Sequence, residues 1–269
     1  MVTSTQRPPL TDAVIGAGLL AGSANVIMQL ARPPVGYGVV ESRVESGNVF
    51  RHPVKRTRTT LTYLAVATMG TDEERAAYRH SVNKAHAEVY STDESPVAYN
   101  AFDTDLQLWV AACLYKGFED TYAAFMGGDP ERFYRDSAPL GTTLQVRPEM
   151  WPADRAAFEE YWTAALGEVH IDDTVRRYLT GIVDLRFLPP FFSVLFGPFH
   201  RFVTTGFLPS RFRDEMRLTW SARRQRRFDA LMAAIGAVAR RLPGPLRRFP
   251  FNLCLWDLRK RLRTGRPLV

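Results

Sequence analysis

The stretch Tyr78-Arg79-His80-Ser81-Val82-Asn83-Lys84-Ala85-His86-Ala87-Glu88-Val89-Tyr90 decides how this chain is read. At helical spacing Tyr78, Val82, Ala85, His86 and Val89 fall on one apolar face. His80, Lys84, Ala87 and Glu88 fall on the opposite, polar one. The two histidines therefore differ in kind. His80 belongs in solvent, whereas His86 sits on an apolar stripe, where a neutral imidazole needs a hydrogen bond or a metal. Just upstream, Thr71-Asp72-Glu73-Glu74 has the form of a capping box, a Thr N-cap with a Glu three residues on, and Gly70 closes whatever precedes it. The pattern predicts a helix over Thr71–Tyr90.

Working outward, Pro53–Met69 reads as a second strong helix with proline in its first turn. Arg56, Thr60, Tyr63 and Ala67 line one side of it, with Leu64 alongside. Taken alone, the arginine is an exposed helix start and the threonine bonds back to its own turn. The link to the next helix is short, so the two are expected to pack antiparallel. Asp103 caps a third helix, DLQLWVAACLYKGFEDTYAAFM, whose inner stripe is Leu106, Trp109, Val110, Cys113, Gly117 and Phe118. Gly117 leaves room for a bulky neighbour.

The same periodicity continues along the chain. Leu10–Leu30 is a helix broken near Gly16–Gly22 and stopped by Pro33-Pro34. Pro33–Gly38 reads as a turn-rich link, and Val39–Val49 as coil or a helical turn. Gly36-Tyr37-Gly38 is no dinucleotide fingerprint, because no strand precedes it and the third glycine is missing. Asp129–Asp136, Pro152–Val169, Thr174–Leu185, Ser210–Met216, Ser221–Leu242 and Phe251–Leu262 are helical, and Leu140–Trp151 is the one stretch with strand character. The fold class is all-α.

Composition sets bounds on function. The chain has 269 residues, 46% hydrophobic and 23% charged, which is ordinary for one globular domain. Cys113 and Cys254 both lie in apolar helical contexts and read as free thiols. There is no Cys-x-x-Cys and no paired-histidine motif, which argues against a zinc site of the usual kind. The formal net charge is +7, and from Arg211 onward 16 Lys/Arg stand against four Asp/Glu. Solvated amphipathic helices with snorkelling arginines account for this excess. The basic helices lack the interleaved aromatics and groove-reading motifs of a nucleic-acid binder. Phe187–Leu208 is rich in aromatics, but two prolines, an internal Gly-Pro and His200-Arg201 argue against a membrane span. It reads as a buried loop-and-helix segment, with a peripheral membrane contact as the alternative. The absence of a clear targeting signal favours the cytoplasm.

Sites for chemistry narrow quickly. No Gly-x-Ser-x-Gly elbow is present, and the carboxylate pairs Asp72–Glu74, Glu159-Glu160 and Asp172-Asp173 are explained by helix caps or solvated faces. His86 remains. A lone histidine on an apolar face is usually a hydrogen-bonded core residue. It is also what axial haem ligation needs, provided a large apolar slot lies beside it. Tyr63, Leu64, Trp109, Val110 and Cys113 are the candidate lining of such a slot, and Arg56 the candidate partner for propionates.

A set of ordered motifs resembles the MpaB-type oxygenases, the family that includes the catalytic domain of the rubber oxygenase latex clearing protein. The set comprises Gln29–Pro33, Pro53-x-x-Arg56-x-x-x-Thr60, Val82-x-x-x-His86-x-x-Val89, and Phe102–Val110 with its Leu-x-Leu-Trp-Val. Gly206-Phe207-Leu208-Pro209, Leu218–Ser221 and Arg247–Pro250 complete it. The resemblance implies a globin-like bundle around a haem b pocket, with a flexible N-terminus over 1–12, a catalytic domain over 13–250 and a basic helix and tail over 251–269. It implies that His86 is the axial iron ligand and that Arg56 and Thr60 serve the pocket. It implies an oxygenase using O2 on an apolar, isoprenoid-like substrate. The family's rubber oxygenases have a lysine just before the threonine; here the residue is Thr59. The alternative is a non-catalytic helical haem- or lipid-binding protein resting on membranes through its arginine-rich end.

Overall fold

Why His86 faces inward is settled by three helices and their caps. The computed structural model describes residues 10–129 and 131–269, apart from the side chain of Arg132. It is all-α, and the only β feature among the described residues is an isolated bridge between Tyr90 and Asn100. The α-helices are α1 (Gly22–Leu30), α2 (Pro33–Val40), α3 (Pro53–Met69), α4 (Asp72–His86), α5 (Thr104–Met126), α6 (Glu131–Tyr134) and α7 (Pro139–Thr142). They continue with α8 (Arg155–Ala165), α9 (Asp173–Val183), α10 (Pro190–Phe207), α11 (Ser210–Glu215), α12 (Ala222–Arg241), α13 (Gly244–Arg247) and α14 (Phe251–Thr264). Short 3-10 turns, among them Gly16–Ala21 and Glu45–Gly47, join some of them.

Local chemistry explains where the central helices start and stop. Pro53 opens α3, and Gly70 ends it with Val66 so close that a Cβ on Gly70 would lie 2.5 Å from the Val66 carbonyl oxygen. The capping box of α4 is present in both halves: Glu74 N–H donates to Thr71 Oγ1, and Thr71 N–H donates to Glu74 Oε2. Such a cap stabilises its helix by ~1 kcal/mol. Asp103 caps α5 through the N–H groups of Asp105 and Leu106, and Gly127, at φ 68°, closes its far end. Gly117 of α5 is where Asn25 of α1 comes closest, and Asn25 Nδ2 donates to the Cys113 carbonyl at 2.5 Å.

Several expectations change in the folded chain. α4 ends at His86 rather than running to Tyr90. Beyond it the backbone is drawn into pairing with 99–101: Ser91 N–H donates to Tyr99 O and Ala101 N–H to Val89 O. Pro33–Gly38, read as a link, is the body of α2, because prolines at its first two positions start a helix as readily as they end the previous one. Leu140–Trp151 holds α7 and a 3-10 turn, with no strand. Leu10–Asp12 is a turn with Leu10 buried and Asp12 paired to Arg248, so only residues 1–9 of the expected flexible end lie outside the described residues. The basic C-terminal helix α14 packs on α3 through buried Leu255 and Leu258.

α5 divides the interior. One of its faces joins an aromatic core in which Trp109 stacks on Trp162 (5.2 Å, 10°) and Tyr115 meets Phe158 edge-on at 4.7 Å. The other face looks toward α3 and α4 across a cavity.

Candidate functional site: a cavity with one unpartnered histidine

The cavity has a volume of about 320 Å³, within the range of small-molecule sites, roughly 300–1,000 Å³. α3 contributes Lys55, Arg56, Thr59, Thr60, Tyr63 and Leu64. α4 contributes Tyr78, Val82, Ala85 and His86, which with Val89 is the apolar face seen in the sequence. α5 adds Leu106, Gln107, Val110 and Leu114 at helical spacing. The remaining wall comes from α2, from the loop around Gly47 and Asn48, from α7, and from Val269.

Hydrogen bonds between neighbouring elements fix the helix carrying His86. Tyr78 Oη donates to the Thr59 carbonyl at 2.7 Å, joining α4 to α3. Tyr63 Oη donates to the Leu140 carbonyl at 2.6 Å, joining α3 to α7. Gln145 is the hub of a third tie: its Nε2 donates to Asn83 Oδ1 at 2.6 Å, one turn before His86, and its backbone N–H donates to Gln107 Oε1 at 2.8 Å. Gln107 Nε2 in turn donates to Gln145 Oε1 and to the Ala101 carbonyl. Burial holds the Tyr63 and Tyr78 phenols well above their ordinary range, so both stay neutral donors.

His86 itself is left without partners. Among the described residues neither ring nitrogen makes a hydrogen bond, and Nδ1 is buried with none available. Phe102 meets the ring edge-on at 6.2 Å. Burial, reinforced by the positive charge of Arg56, lowers the imidazole pKa to about 4. The ring is therefore neutral at physiological pH and keeps a free lone pair. An unmet buried nitrogen costs free energy on the order of 1–3 kcal/mol, so a site that keeps one calls for a ligand. Among the described residues no Asp, Glu or Cys side chain lines the cavity, and no group of three or more His, Cys, Asp or Glu lies together. The donor set suits a group that needs one protein ligand from a neutral imidazole and brings its other donors with it.

Three polar side chains of α3 that line the cavity, Lys55, Arg56 and Thr60, make no hydrogen bond among the described residues. Thr59, Thr62 and Thr68 donate back to the carbonyl four residues earlier, but Thr60 does not. Arg56 and Lys55 line the cavity and form no ion pair among the described residues. The structure thus brings together His86, Arg56, Thr60 and Tyr63. It does not bring Trp109 and Cys113, both expected in the slot. Trp109 is fully buried in the aromatic core with its indole N–H donated to the Gln29 carbonyl, and Cys113 is turned the same way. Along α5 they sit about 60–100° round the helix from the line of Leu106, Val110 and Leu114, a shift invisible when the whole stripe is apolar. Gln107, Gln145 and Asn83 were missed because a tie spanning three elements leaves no local pattern. Glutamine at 107, on a face otherwise apolar, was the one available signal.

With this geometry in view, the comparisons with known proteins are direct. Residues 13–237 match the model of a family described as the catalytic domain of "ER-bound oxygenase mpaB/B'/Rubber oxygenase", and the chain belongs to that family of oxygenase catalytic domains. It is 51% identical over 255 residues to two mycobacterial proteins, uncharacterized protein Mb2261 of Mycobacterium bovis and uncharacterized protein Rv2237 of Mycobacterium tuberculosis. The match covers 93% of this chain and 100% of each of theirs. No solved structure matches.

Proposed function

We propose that the protein is a haem b-dependent oxygenase acting with O2 on an apolar substrate, isoprenoid-like in character. The observation that carries the reading is His86: a neutral imidazole with an unmet nitrogen beside a cavity whose other lining is largely apolar. His86 would hold the iron, and Arg56 and Lys55 are the cations available to the haem's propionates. Thr60, with its hydroxyl uncommitted to its own helix, would donate a hydrogen bond into the pocket. Haem, when bound, supplies the oxygen chemistry; the protein supplies the ligand, the dry walls and the orientation. Tyr63 has a structural part here, since its hydroxyl is already given to Leu140. Thr59, whose hydroxyl bonds back to the Lys55 carbonyl, stands where the resemblance gives the rubber oxygenases a lysine, so this site would lack that lysine.

The test is an absorption spectrum of protein expressed with haem supply, oxidised and then reduced with and without carbon monoxide. A Soret band that shifts on reduction and again with carbon monoxide is expected for wild type and lost in His86→Ala. A featureless spectrum, with failed haem titration, would return His86 to the role of a core residue.

A further inference from the structure

The Phe187–Leu208 segment, expected to be buried, is half bare. No charged residue occurs between Arg186 and His200. Phe191, Phe192, Val194, Leu195, Phe196 and Phe199 of α10 are all exposed, Phe191 by 69% and Val194 by 78%. Only a narrow line holds this half of the helix to the body: Ser193 Oγ donates to the Leu185 carbonyl at 2.7 Å, and Gly197 lies against the Asp184 carbonyl. The second half is a normal core helix, with Val203, Thr204, Thr205 and Phe207 buried. The apolar surface does not stop at α10. The turn Gly16–Ala21 packs on α10 and exposes Leu19, and Gly16 lies against the Phe249 carbonyl, where Phe249 and Leu246 are exposed.

We infer that this face docks the protein onto an anionic lipid bilayer, with the first half of α10 inserted at the acyl boundary. Two physical points favour lipid over a protein partner. A partner helix or groove covers one stripe, whereas the exposed side chains of α10 span about 200° of its circumference, the breadth of face that an interfacial helix buries in lipid. The surroundings are cationic: Arg186 and Arg201 share the single carboxylate of Asp184 at one end, and Arg247 and Arg248, the second of them paired with Asp12, precede Phe249 at the other. Polybasic edges of this kind favour anionic headgroups. No helix among the described residues is long and apolar enough to cross a membrane, so the contact is lateral. At the foot of α10, Phe187 meets Phe50 edge-on at 6.5 Å, and Phe50 follows Asn48 of the cavity wall by two residues. The docking face thus leads toward the His86 cavity, although the inference does not rest on what that cavity binds.

Flotation of the full chain with vesicles of phosphatidylcholine alone, and of phosphatidylcholine mixed with phosphatidylglycerol, tests this. Wild type is expected to float with the anionic vesicles and to be released by salt. The double substitution Phe191→Ser with Val194→Ser, made on exposed side chains, is expected to lower the bound fraction roughly tenfold or more while leaving the melting temperature unchanged. Wild type left at the bottom with both vesicle types, equal flotation with neutral vesicles, or undiminished flotation of the variant would each overturn the proposal. So would a wild-type dimer on gel filtration that the double substitution makes monomeric, with no vesicle binding by either form. The occupant would then be a second copy of the chain.

Discussion

The molecule holds two partly buried histidines in very different company. In the region where α10 leaves α9, His200 Nδ1–H donates to the Val183 carbonyl at 2.8 Å, which leaves Nε2 to accept from Ser23 Oγ at 3.1 Å. Across the α3–α4 cavity, His86 has neither bond among the described residues. Burial lowers both pKa values, so both rings are neutral at physiological pH. Desolvation therefore does not distinguish them; hydrogen-bond satisfaction does. His200 is a finished structural joint that ties α10 to α1 and α9. His86 makes no such joint among the described residues, and that difference motivates the haem proposal.

The comparison can be broken most sharply by exchange of each histidine for alanine. His86→Ala is expected to abolish the haem spectrum while barely lowering the stability of the haem-free protein, because it removes an unmet polar group. Spectrum and chemical melt are read on the same preparation. Next in size is Trp109→Ala, which empties part of the aromatic core. It should cost ~3–5 kcal/mol in urea unfolding yet leave the band position of any bound haem unchanged. A shifted band would place Trp109 back at the cavity. His200→Ala should cost ~1–3 kcal/mol and leave haem binding intact, since its losses are two hydrogen bonds distant from the cavity.

The smallest effect is electrostatic. Between the ordinary histidine value of 6.5 and about 4, the unfolded chain takes up a proton at residue 86 that the native state refuses. Above pH 6.5 this group contributes no slope; as pH falls below it, stability is lost, by at most about 1.4 kcal/mol per pH unit. His86→Leu in the haem-free protein should remove that part of the slope in urea midpoints measured from pH 7 to pH 4.5. His200, shifted in the same direction, should account for a further part. An unchanged slope in His86→Leu would mean that the imidazole is solvated.

Much of the fold was legible because it is written in short-range chemistry. Pro53 and Gly70 bound α3, the Thr71–Glu74 box opens α4, and Asp103 and Gly127 bound α5; each signal acts within four residues of itself. The inward face Tyr78, Val82, Ala85, His86 and Val89 was equally plain, since polar and apolar residues alternate at helical spacing. The family motifs then gave His86, Arg56 and Thr60 their meaning together, and the cavity does bring these three to one place.

What the sequence determined by itself was therefore the all-α class, the starting points of the central helices and the inward turn of His86. Tertiary structure alone decided the rest. It ended α4 early, because pairing of Tyr90 with Asn100 outcompetes another helical turn. It chose Val110 over Trp109 for the cavity, because both lie on one broad apolar stripe of α5 and only the neighbouring elements decide which part of it meets the cavity. It left α10 bare, because its aromatic run carries no sign of whether another element will cover it. And it withheld a partner from His86, which is the physical difference between this residue and His200. Caps and periodicity are local properties of a chain; whether a buried nitrogen is satisfied depends on groups brought together from anywhere along it.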